Sequence, residues 1–394
     1  MIYFLVLCLA FYDLQFLGIN FADFGLIVFL FKIFFDKRMN YVTTTKATNI
    51  LILLLLFLIF SYFEVSNRDY FQTVPYLTNF IRISIFLVGL LVIPKYLIKN
   101  NLTKKYIDFS LKIACIVSIL AIIEISLKAI GLNINFQIPF LTKSYNVAYG
   151  ELLRSTAFFS EPAHLCFYLS ISLIQYLFYY QQLPNLHINN KQIILIVIGS
   201  FTTLSFGNIP LILIGLYIYY NLFFKTKKKS SLKYVTLLIF LISILVLFNT
   251  ENIITNRLSD ISYGEDGSSI HRTQGMLDLA EYIVSNEYYF GTGWGQKFNY
   301  LKAKNLYFEN YYFTGEYSGI NNTLVEILFG AGVVGLFIFL GFIYFHLRKY
   351  PILILTFIIM SFNGSHLNNS FFWMFLTFVS IYNYIKPLKQ KYVD

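Results

Sequence analysis

Charged residues are scarce in this chain of 394 residues. Asp, Glu, Lys and Arg together make up 13% of it, whereas soluble domains carry about 25%. Hydrophobic residues make up 57%, aromatic residues 20%, and the mean hydropathy is +0.63. These values exclude an ordinary soluble domain, so the sequence predicts an all-α polytopic membrane protein with Tyr-rich belts at the membrane surfaces.

Cysteine is also rare, and the three present, Cys8, Cys115 and Cys166, all lie inside apolar stretches. A disulfide framework and a cysteine-based metal site are therefore not expected, and the sequence indicates no metal and no cofactor. The net charge is +10, but its lysines and arginines form short clusters between apolar runs, which argues against a nucleic-acid partner. The N-terminus lacks a basic region and a clear cleavage site, so we expect a retained first span.

Apolar runs of the length needed to cross a bilayer, roughly 20 residues, occur about twelve times. The boundaries of the first two are the weakest, because Asp13 interrupts one span and the link between them is very short. The predicted spans lie near residues 2–18, 20–35, 47–63, 76–94, 107–130, 163–183, 192–206, 208–224, 234–250, 321–345, 351–365 and 368–385.

Lysines and arginines fall in alternate loops, at 36–46, 99–105, 225–233, 346–350 and 386–391. The positive-inside rule places these loops, and both termini, in the cytoplasm. The opposite face then carries a loop at about 131–162 and a large one at about 251–320. The sequence thus predicts a single integral membrane domain, 1–394, with a large outer loop.

An amphipathic helix is predicted near residues 271–285 of that loop, because Met276, Leu279, Ala280 and Ile283 follow helical spacing. We expect it to lie along the outer face of the membrane. His271 and Arg272 stand at its start, where backbone N–H groups favour anions. A solvated helix start is the alternative.

Ionisable residues gather in "RSTAFFSEPAHL", residues 154–165, just before the sixth predicted span. Arg154 offers a planar fork suited to phosphate. Glu161 precedes Pro162 at the start of the helix, where a partly desolvated carboxylate could act as a general base. The alternative is an interfacial salt bridge between Arg154 and Glu161, with His164 as a half-exposed cap.

Other polar residues lie in or near predicted spans. Asn321, Asn322 and Glu326 begin the tenth span, followed by glycines that allow close helix packing. Arg82 either lines a cavity or snorkels to the surface. The run "NEYYFGTGWGQ" (286–296) resembles a phosphate loop, but it follows a helix, so we interpret it as a tight turn.

Two pairs of opposite charge have a simpler interpretation. Asp108 with Lys112, and Glu124 with Lys128, are spaced i, i+4 in the fifth predicted span. Pairing within that helix explains them.

Three motifs resemble the Wzy-type O-antigen polymerases: R-x6-EPxxL (154–165), NxxxxGxGxG (286–295) and NNxLxExLxxxGxxG (321–335). The span count and the late outer loop resemble that family too. The resemblance implies a membrane glycosyltransferase of the C type that joins polyprenyl-diphosphate-linked oligosaccharides outside the bacterial plasma (inner) membrane, without a metal. The product would be O-antigen, capsule or a related surface polysaccharide.

The resemblance also implies roles for the residues singled out above. Arg154, Arg272 and Arg82 would bind the donor diphosphate, and Glu161 would deprotonate the acceptor, with His164 or His271 as lesser candidates. Asn321, Asn322 and Glu326 would line the substrate cavity. The implied partners are undecaprenyl-diphosphate-linked substrates, membrane lipid, a chain-length regulator and a flippase.

Two other functions stay open. The O-antigen ligases share the architecture, and their resemblance implies an HNxxL motif. This chain has Asn321 and Asn322 at that place, so the histidine is missing, which favours the polymerase. A flippase or other transporter is the third alternative. Transporters often contain internal repeats, and this sequence shows none.

Overall fold

The computed structural model describes residues 1–16, 19–36, 45–132, 134, 136, 138, 141–143, 154–181, 189–225, 274–304, 320 and 322–391. The predicted span at 234–250 lies outside these ranges, as do His271, Arg272, Asn321 and most of the predicted outer loop at 251–320.

Helices dominate the described ranges. Three short strands, β1 (Leu14–Phe16), β2 (Ile19–Asn20) and β3 (Thr142–Lys143), form an antiparallel sheet in the order β2-β1-β3. The helices are α1 (Ile2–Ala10), α2 (Phe21–Phe35), α3 (Lys46–Val65), α4 (Thr73–Lys99), α5 (Thr103–Ala129), α6 (Pro162–Gln181), α7 (Asn190–Phe201), α8 (Ile209–Lys225), α9 (Gln274–Asn286), α10 (Lys297–Ala303), α11 (Thr323–Leu347), α12 (Pro351–Asn363) and α13 (Ser370–Lys391).

The chain forms two compact units. Unit 1 comprises Met1–Thr43, Val88–Lys228 and Asn369–Asp394, and unit 2 comprises Thr44–Leu87 and Lys229–Asn368. The single integral membrane domain expected from the sequence stays a prediction, because two compact units of one chain can both lie in the membrane.

Helix α6 forms the core of unit 1. Every residue from Leu165 to Tyr180 is buried, which is the property of a helix covered by protein on all sides. Its neighbours in unit 1 are α5, α7, α8 and α13. The start of α6, where the sequence places its candidate residues, is therefore held among several other helix ends.

The N-terminal span expected at 2–18 differs from the structure. Helix α1 ends at Ala10, so its nine residues rise only about 14 Å. The chain then turns, and β1 pairs with β2 and β3. Asp13 explains the early end, because its buried carboxylate accepts a hydrogen bond from the backbone N–H of Ser160, 2.5 Å away. In the structure, Asp13 makes this contact from the turn that follows α1.

Unit 2 is built around α11, which packs along α3 and also contacts α9 and α12. Helix α9 occupies most of the range predicted for the amphipathic helix. Three side chains of its apolar stripe, Met276, Leu279 and Ile283, are covered by protein. They lie in a cluster with Tyr300, Leu301, Ile320, Leu328 and Phe329. The apolar stripe therefore serves packing inside unit 2, which the sequence pattern could not distinguish from packing on lipid.

A break at Gly332 (φ 65°, ψ −170°) interrupts α11. The turn after α9 docks there: the N–H of Val333 donates to the carbonyl of Tyr288, and the N–H of Thr292 donates to the carbonyl of Phe329, both at 2.8 Å. Backbone groups freed by the break are thus satisfied by the turn. The glycine-rich segment 291–295 is a tight turn, as predicted.

Four helices of the described ranges, α3, α4, α5 and α11, are long and apolar enough to cross a membrane. Shorter apolar helices accompany them at Asn190–Phe201, Ile209–Leu222, Pro351–Asn363 and Ser370–Asn383. These helices fit a helical membrane protein, and the count of about twelve spans stays a prediction.

Candidate functional site

The segment 154–157, which opens the motif before α6, is held by a carboxylate from α5. The Glu124 side chain, 1% exposed as a residue, accepts from the hydroxyl of Ser155 at 2.8 Å and from the N–H groups of Thr156 and Ala157 at 3.0 and 2.6 Å. Ala157 has a positive φ of 46°. Such a conformation costs about 1–3 kcal/mol and persists where the surroundings enforce it, here the converging bonds to Glu124.

Lys128 completes this arrangement. Its ammonium lies 2.6 Å from the carboxylate of Glu124 and donates to the backbone carbonyl of Arg154, also at 2.6 Å. The predicted intrahelical pair is therefore present, but both of its members also bind the segment before α6. In the other predicted pair, the carboxylate of Asp108 accepts from the hydroxyl of Tyr180 at 2.9 Å.

Arg154 is buried, with 8% of its surface exposed. Its Nε donates to the carbonyl of Thr203 at 3.0 Å, and an Nη donates to the carbonyl of Leu204 at 3.4 Å. These carbonyls lie in the turn that follows the end of α7. The guanidinium thus has a defined position on the end of α7, which a phosphate-binding fork requires.

His164 lies in the first turn of α6, next to Asp13. Nδ1 of His164 is 3.1 Å from Oδ1 of Asp13, and the hydroxyl of Tyr12 donates to the backbone carbonyl of His164 at 3.1 Å. The side chain of His164 is 28% exposed and that of Asp13 only 6%. His164 is therefore partly exposed, as the salt-bridge alternative also expected, and the carboxylate beside it belongs to a residue that the sequence indicated only as an interruption of the first span.

Glu161 is half-buried in the bend that precedes α6. Its backbone carbonyl accepts from the N–H of Leu165 at 3.3 Å, so the residue forms the entry to the helix as predicted from Pro162. Arg154, Glu161 and His164 therefore lie on one ordered segment at the N-terminal end of α6.

Polar side chains meet at one end of unit 1. Asp13 follows α1, Glu124 and Lys128 end α5, and Arg154 and His164 lie before and at the start of α6, in contact with one another or with neighbouring backbone. We call these five residues the polar layer. Asn208, between α7 and α8, donates to the carbonyl of Ala163 at 3.0 Å. This bond links the start of α8 to the first turn of α6, next to the polar layer.

In unit 2, the start of α11 is held by its own polar residues. Asn322 is the N-cap, and its Oδ1 accepts from the N–H groups of Leu324 and Val325 at 2.9 and 3.2 Å. The hydroxyl of Thr323 donates to the carbonyl of Gly364 at 2.8 Å, and the hydroxyl of Ser365 donates to the carboxylate of Glu326. The side-chain oxygen of Asn322 therefore caps α11.

Lys297, the first residue of α10, is a charged residue near Glu326 that the sequence analysis did not single out. Burial lowers the pKa of Lys297 to about 7, and the carboxylate of Glu326 opposes this shift. The ammonium also lies 5.0 Å from the ring centroid of Phe298. A lysine that loses its proton near neutral pH is a group that sequence patterns alone do not reveal.

Arg68 holds the turn after α9 in unit 2. One of its Nη atoms donates to the carboxylate of Glu287 at 2.5 Å, to the hydroxyl of Tyr70 at 2.8 Å and to the carbonyl of Gly291 at 3.1 Å. It therefore stabilises the turn that docks at Gly332.

The remaining predicted residues fall elsewhere. Arg82 is partly exposed in α4 and belongs to unit 2, about 14 Å along the helix from Thr73. His271, Arg272 and Asn321 lie outside the described residues. Within the described ranges, no group of three or more His, Cys, Asp or Glu residues could hold a metal ion, and a metal-independent reaction stays a prediction.

Comparison with known proteins gives one family match. Residues 193–340 match a family model described as O-antigen ligase, a range that includes α8, α9 and α10 and covers less than half of the chain. No curated protein matches the sequence. The family match supports the O-antigen ligase/polymerase superfamily, and together with the apolar helices it indicates a multi-pass membrane protein of the glycosyltransferase kind.

Proposed function

We propose that the chain is an oligosaccharide repeat-unit polymerase, which transfers a growing glycan from undecaprenyl diphosphate to a lipid-linked repeat outside the plasma membrane. The family match at 193–340 is the observation that carries the transferase class. The polar layer, which begins before that range, supplies charged groups suited to the reaction in a chain with few charges.

In this reaction the acceptor hydroxyl attacks the anomeric carbon of the donor glycan, and the bond to the diphosphate breaks. Arg154 is assigned to the diphosphate, because a guanidinium of defined position stabilises the charge that develops on the leaving group. Two groups at the start of α6, Glu161 and His164, lie about one helical turn apart. Either could take the proton of the acceptor hydroxyl. Arg82, Arg272 and His271 keep their predicted roles as sequence-based assignments.

The outer face is assigned to the polar layer by the lysine distribution. The segments richest in lysine lie at 36–46, 99–105 and 225–233. They follow the C-terminal ends of α2, α4 and α8, which are far along the chain from the residues of the polar layer. Since such loops favour the cytoplasm, the layer belongs outside, with both termini in the cytoplasm. Lipid-linked repeats delivered by a flippase would reach it there, and a chain-length regulator would act on the product.

O-antigen ligase activity is the second candidate, and a specific observation favours it, because the matching family model carries that description. Asn321 favours polymerase, since the resemblance to the ligases requires histidine at that position. A transporter is the remaining alternative, and it would move label across the bilayer without lengthening the glycan.

The test uses cells whose only copy of the chain carries Arg154→Ala or Glu161→Gln, with glycan length read on gels and membrane levels of the protein checked. Arg348→Ala is the matched control, because it removes an exposed guanidinium just after α11, in the predicted cytoplasmic loop 346–350. Polymerase function predicts that long chains vanish in the Arg154 or Glu161 variants while a single repeat is still attached. Loss of the single repeat as well would favour the ligase, and normal ladders in both variants would refute the site.

A further inference from the structure

The contact between Asp13 and His164 is the feature of the polar layer that the proposed roles have not used. Oδ1 of Asp13 lies 3.1 Å from Nδ1 of His164. The carboxylate attracts that ring nitrogen and favours the orientation of the imidazole in which the other nitrogen, Nε2, is left to exchange a proton with a ligand.

The carboxylate of Asp13 is itself held in place. Its Oδ2 accepts from the N–H of Ser160 at 2.5 Å, so one oxygen serves the backbone and the other faces the imidazole. Asp13 comes from the turn between α1 and β1, whereas Ser160 and His164 flank the start of α6. The contact therefore joins two segments that are far apart in sequence.

Tyr12 supports the same geometry. Its hydroxyl donates to the backbone carbonyl of His164 at 3.1 Å. Its ring stacks on Phe371 with centroids 5.6 Å apart and planes within 7°. Both the backbone and the side chain of His164 are thus held by the Tyr12–Asp13 pair, as a preorganised proton acceptor requires.

Exposure separates the two members of the pair. The side chain of His164 is 28% exposed and that of Asp13 is 6% exposed. A ligand can therefore reach the imidazole, whereas the buried carboxylate acts on a ligand by positioning the histidine, in addition to its bond to Ser160.

We propose that His164 is the general base of the glycan transfer and that Asp13 is its positioning residue. This inference rests on the proposed function and refines it, because it gives the base role to His164 in preference to Glu161. The acceptor is a sugar hydroxyl of a lipid-linked oligosaccharide.

The acceptor oxygen forms a bond to the anomeric carbon of the donor glycan, and the bond from that carbon to the diphosphate oxygen breaks with its electron pair. Undecaprenyl diphosphate leaves, and the hydroxyl proton passes to Nε2 of His164. Release of that proton to solvent restores the imidazole for the next transfer.

The experiment is a double-variant cycle on the purified full chain in lipid nanodiscs. The probe is the lipid-linked oligosaccharide extracted from cells that lack the chain, and extension is followed by mass spectrometry to obtain kcat and KM. The variants are Asp13→Asn, His164→Gln and the two combined. Asp23→Asn is the matched control, since Asp23 is a buried carboxylate of unit 1 that accepts a hydrogen bond from the hydroxyl of Ser370.

We expect His164→Gln to lower kcat by about 10²–10⁴-fold, the range of a general base. Asp13→Asn lowers kcat at least about tenfold with KM nearly unchanged, and the combined variant is no slower than His164→Gln, because the effect of Asp13 on proton transfer passes through His164. Asp23→Asn retains the wild-type kcat. If Asp13→Asn does not accumulate as folded protein, Asp13→Glu replaces it, and a shifted carboxylate is expected to lower kcat in the same way.

Three results would overturn the inference: a wild-type kcat for His164→Gln, a wild-type kcat for the folded Asp13 variant, or effects that multiply in the combined variant. Each of these leaves the polymerase function intact, because the wild-type chain still extends the probe. Failure of the wild-type chain to extend the probe would instead count against the proposed function, and the Asp13–His164 assignment would fall with it.

Discussion

Replacement of Gly332 by alanine is expected to destabilise unit 2 by undocking the turn after α9. Gly332 has φ 65° and ψ −170°, a region open essentially to glycine alone. A Cβ there would overlap the carbonyl oxygen of Tyr289 and lie 2.7 Å from the nitrogen of Gly291. Both atoms belong to backbone, so neither can move without moving the turn.

The cost follows from two contributions. Residual backbone strain accounts for about 1–3 kcal/mol. The hydrogen bonds from Val333 to Tyr288 and from Thr292 to Phe329 contribute about 1 kcal/mol each. We therefore expect Gly332→Ala to lower the free energy of unfolding of unit 2 by about 3–5 kcal/mol.

Gly341→Ala provides a control in the same helix. The nearest atom to a Cβ at Gly341 is a side-chain carbon of Ile50 at 3.8 Å, which is an ordinary contact. Because alanine is the better helix former, this variant is expected to be neutral or to gain up to about 1 kcal/mol.

The assay is tryptophan emission during thermal unfolding in detergent micelles. The chain has two tryptophans, Trp294 and Trp373, so a Trp373→Phe background shared by both variants isolates Trp294. The side chain of Trp294 packs on Gly330 beside the docked turn. Gly332→Ala should shift its emission to the red and lower the midpoint, whereas Gly341→Ala should do neither. Equal midpoints and equal emission for the two variants would refute the reasoning.

Three further outcomes are expected. Glu124→Gln leaves the partly buried ammonium of Lys128 without its carboxylate, so it should cost about 1–3 kcal/mol in unfolding measurements; an unchanged midpoint would contradict this. Arg68→Ala should destabilise the turn after α9 by about 1–3 kcal/mol, seen as earlier red-shifting of Trp294, and a Lys302→Ala control on the exposed face of α10 should not. Because the pKa of Lys297 falls from 10.5 to about 7 on folding, the unfolded chain binds more protons between these values. The free energy of unfolding should therefore rise with pH from about 7 to 10.5, and Lys297→Met should flatten that rise.

Much of the helical architecture was predictable from hydrophobic runs. The predicted second, third and fifth spans agree with α2, α3 and α5 to within a few residues, because long apolar stretches without breakers leave few alternatives in a membrane. Pro162 also indicated the start of α6 correctly. The first span was wrong in length, because Asp13 has a partner 147 residues away, and no local pattern shows such a partner.

The candidate site was predicted only in part. The motif 154–165 drew attention to Arg154, Glu161 and His164, since ionisable groups beside apolar runs are rare. Lys297 was missed, because its lowered pKa arises from burial, and burial of a single lysine in a polar loop has no sequence signature. The glycine turn was correctly separated from a phosphate loop, but its docking on α11 was not foreseen.

The sequence by itself determined that the chain is apolar and helical, where most helices begin, and which few charged residues stand beside them. Those properties depend on composition and local spacing, which act over a few turns of helix. Tertiary structure alone decided that Glu124 and Lys128 would bind the segment at Arg154, that Asp13 would face His164, and that α9 would pack on protein. Such contacts depend on which helix ends meet when buried polar groups find partners, and that choice is made by the packing of the whole unit.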